Sequence, residues 1–177
     1  AEEAYRGLAA RCRRVIIGGE SMGGLLTLYL GSEHPEAAAL LCYAPALIIP
    51  LGAFDRLKLH LGSWFVPYAT SAPGPRTEAD DLWQGYTVTP LKGAIELLRL
   101  QRQVRPGLAR INQPILIVQG RLDRTVLPEA PQTIYDNVRS TAKELHWMDH
   151  SSHCVILDQE RDHVFELTAR FLVHSLA

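Results

Sequence analysis

A chain of 177 residues with 47% hydrophobic and 21% charged residues is sized and composed for one globular domain with a sizeable core. Its formal net charge of −1 supplies no basic field for nucleic acid or an anionic lipid surface. No apolar run reaches the ~18–20 residues of a membrane span, and the opening residues, Ala1-Glu2-Glu3-Ala4, have neither the basic n-region nor the apolar h-region of a signal peptide.

Cys12, Cys42 and Cys154 form an odd set without C-x-x-C spacing. That pattern predicts a reduced, cytoplasmic compartment rather than a disulfide scaffold or a metal site. Residues 2–12 place Ala4, Leu8 and Cys12 at helical spacing, which predicts a surface helix packed on a sheet, and the basic cluster Arg11, Arg13, Arg14 reads as its solvated end. Val15-Ile16-Ile17, within 14–18, reads as a buried strand. It runs into Gly19-Glu20-Ser21-Met22-Gly23, a G-x-S-x-G pentapeptide, and then into a predicted helix over 22–33 that Pro35 ends. Residues 37–43 are continuously apolar, as in a parallel strand buried on both faces.

The character then changes. Residues 44–75 are rich in proline and glycine, with apolar islands at Leu47-Ile48-Ile49 and Trp64-Phe65-Val66; residues 76–85 are acidic and polar; residues 90–105 form an amphipathic helix with Ile95 and Leu98 on its apolar side. This middle third reads as a helical insertion in the place of a lid. The α/β pattern resumes with a strand over 115–119, a turn over 120–123, a helix over 129–138, an alternating strand over 143–148 and a polar loop over 149–154. A last helix, 162–172, carries Val164, Thr168, Phe171 and Leu172 on one face. The expected organisation is therefore a core part, 1–44, a helical cap, 45–110, and a second core part, 111–177. Together they make an α/β fold with a mostly parallel sheet and helices on both faces.

Strand, tight turn with an apical serine, then helix is the context of a nucleophile elbow. A serine at so sharp a turn is held in a strained conformation with its hydroxyl thrust into the cleft above the sheet. Gly19 and Gly23 are expected where a Cβ would collide with neighbouring backbone. The N–H of Met22, at the helix start, can donate to an oxyanion formed when Ser21 attacks a carbonyl. A glycine-rich turn with an incidental serine would show the same pentapeptide; the flanking VII and LLTLYL runs favour the functional reading.

A serine hydroxyl needs a base, and the base an orienting acid. In open α/β sheets such groups come from loops at the carboxyl ends of strands. Asp123 follows strand 115–119, and His153 lies in the loop after strand 143–148, giving the chain order Ser, Asp, His. His150, in the same loop, is the serious rival. His146 lies inside a strand, and His34, His60 and His163 read as solvated side chains. Asp149 and Asp158 are near His153 in sequence, which is not the geometry required.

Three motifs in order make the chain resemble the α/β-hydrolase superfamily, in its branch of small bacterial carboxylesterases and monoacylglycerol lipases. They are Gly19-Glu20-Ser21-Met22-Gly23-Gly24; Pro114-Ile115-Leu116-Ile117-Val118-Gln119-Gly120 followed by Asp123 and Val126; and Ser152-His153-Cys154-Val155-Ile156-Leu157-Asp158. The resemblance implies that Ser21 is the nucleophile, Asp123 the orienting acid and His153, rather than His150, the base. It implies ester hydrolysis through an acyl-enzyme; the apolar islands of the cap suggest an acyl or otherwise apolar substrate, or else cap residues packing on one another, and Met22 and Val126 are expected near the acyl pocket. Neither a metal cluster nor a phosphate-binding loop is visible, so no cofactor is expected. The family also has further strands before the first helix, one of whose loops donates a second oxyanion-hole N–H. The expectation here is a hydrolase part completed by a preceding segment, by a second chain or by self-association along the 14–18 edge. Thioester hydrolysis, amide hydrolysis and cofactor-free peroxidation on the same scaffold, a binding module with little turnover, and an incomplete, catalytically idle hydrolase domain are the alternatives.

Overall fold

Four parallel strands carry the layout in the computed structural model, which describes residues 1–70, 82 and 88–176. They are β1 (Ile16–Glu20), β2 (Ala39–Tyr43), β5 (Ile115–Gly120) and β6 (Lys143–Met148), in the order β1-β2-β5-β6. Cys42 lies beside Gly19 and Ile117, so the register brings the strands' carboxyl ends to one side. All six residues of β5 are buried, in keeping with the apolar run Ile115–Val118, and Gln119 is the one polar side chain the strand buries.

The pleat divides the core. Leu40, Cys42, Ile115 and Ile117 face a layer built from α1 (Glu2–Ala9), α2 (Met22–Glu33), α4 (Leu91–Gly107) and α5 (Glu129–Asn137), through Tyr5, Leu25, Leu28, Val104 and Ile134. The alternate residues Ala39, Leu41, Leu116 and Val118 face α6 (Arg161–Leu176) through Val164, Leu167 and Phe171. Each such buried aliphatic side chain contributes about 1.5–3 kcal/mol of apolar transfer. The fold is thus α/β with helices on both faces.

Several elements fall at their expected bounds, notably α2 and β6. The first strand lies two residues later than expected, so Gly18, Gly19 and Glu20 belong to it. In α1 the expected inward face is corrected: Leu8 and Cys12 are exposed, and Tyr5 is the buried residue. Tyr5 donates its hydroxyl to Glu36 and stacks on His34, whose ring bridges Glu2 and Glu36. His34 is therefore an anchored side chain rather than a solvated one.

The middle third is also corrected. It is not wholly helical, because β3 (Tyr68–Thr70) and β4 (Val88–Pro90) pair antiparallel. Nor does it all stand apart from the core. Leu47 is fully buried with the sheet helices, and the second half of α4 packs on α2, with Gln101 donating to the Ala46 carbonyl. What does stand out is α3 (Ala53–Gly62), which buries none of its residues, and the turn after it, where Trp64 and Phe65 are 86% and 87% exposed. The acidic stretch 76–85 lies outside the described residues except for Leu82. Among the described residues, no helix is long and apolar enough to cross a membrane.

Candidate active site

Ser21 occupies the turn between β1 and α2 with φ 56° and ψ −115°, left-handed territory that a non-glycine residue enters only when its surroundings hold it there. Three backbone bonds hold it. Its N–H donates to Tyr43 of β2, and its carbonyl accepts from Leu25 and from Ala46. The turn is so tight that a Cβ on Gly19 would sit 2.4 Å from the carbonyl carbon of Gly23. The expectation for Gly23 itself is corrected: a Cβ there meets nothing within 4 Å, and the second crowded position is Gly24, against Pro45. Met22 opens α2, where first-turn N–H groups have no intrahelical acceptor. Its side chain is exposed and lines a groove with Leu97 and Leu100 of α4.

The structure brings Ser21, His153 and Asp123 together from three separate loops. His153 Nε2 lies 2.8 Å from Ser21 Oγ, and His153 Nδ1 lies 2.8 Å from Asp123 Oδ2. With the Nδ1 proton on the carboxylate side, Nε2 is free to accept the serine hydroxyl proton. Asp123 is an acceptor four times over. Oδ2 takes the imidazole and the Gln119 amide at 2.7 Å, while Oδ1 takes the N–H groups of Thr125 and Val126 at 2.7 and 3.0 Å. Burial pushes this carboxyl up. The His153 hydrogen bond and charge and the two backbone donors outweigh that, so its pKa ends below the ordinary value. A carboxylate with a depressed folded value stabilises the fold above its unfolded value, and that contribution is lost as pH falls through the folded one.

Val126, an expected site residue, lies differently, and His150, the rival for the base, stays apart. Val126 is in the main core at 1% exposure, and it reaches the site only through its N–H on Asp123. His150 does not enter the hydrogen-bonded set: its N–H donates to Glu160, and its ring lines a cleft of about 530 Å³ with Arg121, Arg124 and Ser152 beside the Asp123–His153 pair. His146 pairs with Glu144, and Asp149 pairs with Arg121. His60 sits on the Arg56 carbonyl, and His163 lies 3.9 Å from Glu166.

The loop that carries His153 is fastened by carboxylates outside the three. Asp158 Oδ2 accepts both the N–H and the hydroxyl of Ser152, at 2.7 and 2.6 Å. Glu160 accepts from Ser151 and from the His150 N–H, and Glu20 accepts the N–H of Ile156. Gln119, at the end of β5, is buried and leaves its Oε1 without a partner. Gln119, Glu20 and Glu160 have no sequence signature: Glu20 bonds to a loop 136 residues away, and the bonds of Gln119 and Glu160, four to ten residues apart, close irregular turns that no periodic pattern marks. Glu20, beside the apical serine, is the position where the motif itself could have prompted the question.

The same loop is clamped to β5 at Gly120, where a Cβ would lie 2.1 Å from the Ser152 carbonyl oxygen and 2.4 Å from that of Ser151. Both are backbone atoms and cannot rotate away. Gly120→Ala is expected to destabilise the fold by about 3 kcal/mol, the upper end of overpacking costs, read as a lower urea midpoint. A midpoint unchanged from the parent would remove this account of the clamp.

The family profile described as serine aminopeptidase, S33, matches residues 4–160. The chain is 31% identical to the thermostable monoacylglycerol lipase of Bacillus sp. (strain H-257), over 96% of this chain and 67% of that protein. It is 28% identical to the carboxylesterase of Bacillus subtilis (strain 168), over 96% of this chain and 65% of that protein. Among solved structures it resembles one described for LipS and LipT, two metagenome-derived lipolytic enzymes, with a TM-score of 0.87 and 28% identity over 98% of this chain and 70% of that one. The monoacylglycerol lipase of Paleococcus ferrophilus shares the fold at a TM-score of 0.83 and 15% identity, over 98% of this chain and 74% of that one. The chain thus spans about two thirds of the length of these curated relatives.

Proposed function

The chain belongs to the α/β-hydrolase family described as serine aminopeptidase, S33, and on that premise we propose that it cleaves carboxylic esters through an acyl-enzyme formed on Ser21. The observation that carries the reading is the continuous run of hydrogen bonds from Ser21 Oγ through His153 to Asp123, set on a strained strand-to-helix turn. His153 takes the Ser21 proton as Oγ attacks the ester carbonyl, then delivers it to the leaving alcohol. A water, deprotonated by the same ring, then attacks the acyl-serine, and the ring returns that proton to Ser21 Oγ as the acid leaves. Asp123 holds the imidazole in the tautomer that leaves Nε2 as the acceptor. The N–H of Met22 faces the developing oxyanion.

Esters are favoured over peptides because the two curated relatives are named for a lipase and a carboxylesterase, although the family description names an aminopeptidase. An acyl or otherwise apolar substrate fits the apolar part of the groove, Met22, Leu97 and Leu100, and the exposed Trp64 and Phe65 of the cap. We further propose that the free side of β1, which pairs only with β2 among the described residues, takes another strand. A further segment or a second copy would supply it, together with the second oxyanion donor.

The test is intact mass spectrometry after exposure to a fluorophosphonate, paired with burst kinetics on an activated ester. One adduct, mapped to Ser21, with a burst followed by steady turnover is the expected result. Labelling at another residue would sink the nucleophile assignment, and a stable adduct with no turnover would turn the reading into that of a binding module. A parallel aminoacyl amide, cleaved faster than the ester, would move the substrate class.

A further inference from the structure

Glu20 is the last residue of β1 and the immediate neighbour of Ser21, yet the mechanism above gives it no part. Strand register sets it beside Tyr43. Its Oε1 accepts the N–H of Ile156 at 3.3 Å, three residues beyond His153. It is half-buried, and its carboxyl lies within electrostatic reach of both His153 and Asp123. A glutamate costs desolvation in such a place, and burial does push its pKa upward. A solvated strand end has no need of that cost.

The geometry points to Glu20 as a positioning residue for His153: its carboxylate fastens the imidazole's loop to the end of β1 and sets a second negative charge beside that ring. The inference rests on the reading of His153 as the base. Three titratable groups face Glu20: His153 from the loop after β6, Asp123 from the loop after β5, and Tyr43 from β2. Tyr43 adds no charge there, because burial pushes its phenol upward and its hydroxyl is bonded to Thr168 of α6. The attack on the carbonyl turns the ring into an imidazolium with the Asp123 carboxylate at Nδ1 and the Glu20 carboxylate within electrostatic reach. Each favours the charged ring, and Asp123 alone fixes its tautomer.

Two variants separate fastening from charge. Glu20→Gln keeps an oxygen for the Ile156 N–H and removes the charge. Its acid limb of kcat/KM is expected to move to lower pH by about half to one unit, the size of a neighbouring charge at an effective dielectric near 20. Below the limb it then retains roughly three- to tenfold more of its plateau rate than the parent does. The plateau itself stays within about threefold, since the geometry is kept. Glu20→Ala removes the acceptor as well and is expected to lower the plateau about tenfold.

The same shift is read without turnover by NMR titration of the His153 ring, which should protonate at lower pH in Glu20→Gln than in the parent. An unmoved ring titration and an unmoved acid limb in Glu20→Gln would overturn the inference, even if Glu20→Ala fails to fold. Failure of the hydrolase reading shows separately, as fluorophosphonate labelling away from Ser21, and leaves the ring titration to decide the role of Glu20 by itself.

Discussion

Ser21→Ala is expected to lower kcat/KM for an activated ester by about 10⁵-fold or more, the scale seen when the nucleophile of a serine hydrolase is deleted, while the melting temperature falls by no more than about 6 °C. The loss is large because the hydroxyl is the atom that forms the acyl bond, and it is the hydroxyl that His153 Nε2 holds. The small change in stability follows from the same geometry. The turn at residue 21 is held by backbone bonds to Tyr43, Leu25 and Ala46, and alanine keeps all of them. The one side-chain bond removed is to a partly solvated ring nitrogen, a loss of about 0.5–1.5 kcal/mol at most. Fluorophosphonate labelling should disappear in the same variant. Hydrolysis that survives within tenfold of the parent would mean that another group attacks the ester, and the elbow would then be a turn with an incidental serine.

What the sequence made legible was local. A β-branched run, a G-x-S-x-G turn and an apolar helix are each readable within a dozen residues, and the structure places them at β1, Ser21 and α2. The gathering of Ser21, Asp123 and His153 was readable one step further on, because parallel strands deliver their carboxyl-end loops to one edge. What escaped is what depends on partners far apart in the chain. The inward face of α1 was read from Ala4, Leu8 and Cys12, but Tyr5 is inward because Glu36 and His34, about thirty residues away, give its polar edge a place to go. Val126 looked like a pocket residue from its place in a motif; its N–H, not its side chain, is what the site uses. The cap boundary slipped for a related reason. Leu47 is apolar like the exposed islands around it, Gln101 and Val104 of α4 are buried in a stretch rich in arginine and glutamine, and only packing tells a core contact from an exposed one.

Asp123→Asn tests how the base is aimed, and the expected result is a fall in kcat of about 10⁴-fold with the fold largely retained. The side-chain oxygen of this variant would stay on the N–H groups of Thr125 and Val126, the side that accepts two backbone donors. Its amide nitrogen would then face the Gln119 amide and His153 Nδ1, where Asp123 presents an acceptor. Gln119 can turn its amide over and offer Oε1, which restores the hydrogen bond between the two side chains and leaves Nε2 in the place where Oε1 has no partner in the parent. The imidazole bears the consequence of this exchange. To accept from the new amide, Nδ1 must give up its proton, which moves to Nε2, and Nε2 can then no longer take a proton from Ser21. Asp123→Ala has no such escape. It leaves the donors of Gln119, Thr125 and Val126 unpaired and is expected to cost about 1–3 kcal/mol for each group left buried without a partner. Nitrogen-15 NMR of the His153 ring reads the tautomer directly, and urea denaturation separates the two variants. A ring still protonated at Nδ1 in Asp123→Asn, with kcat within tenfold of the parent, would show that something other than this carboxylate orients the base.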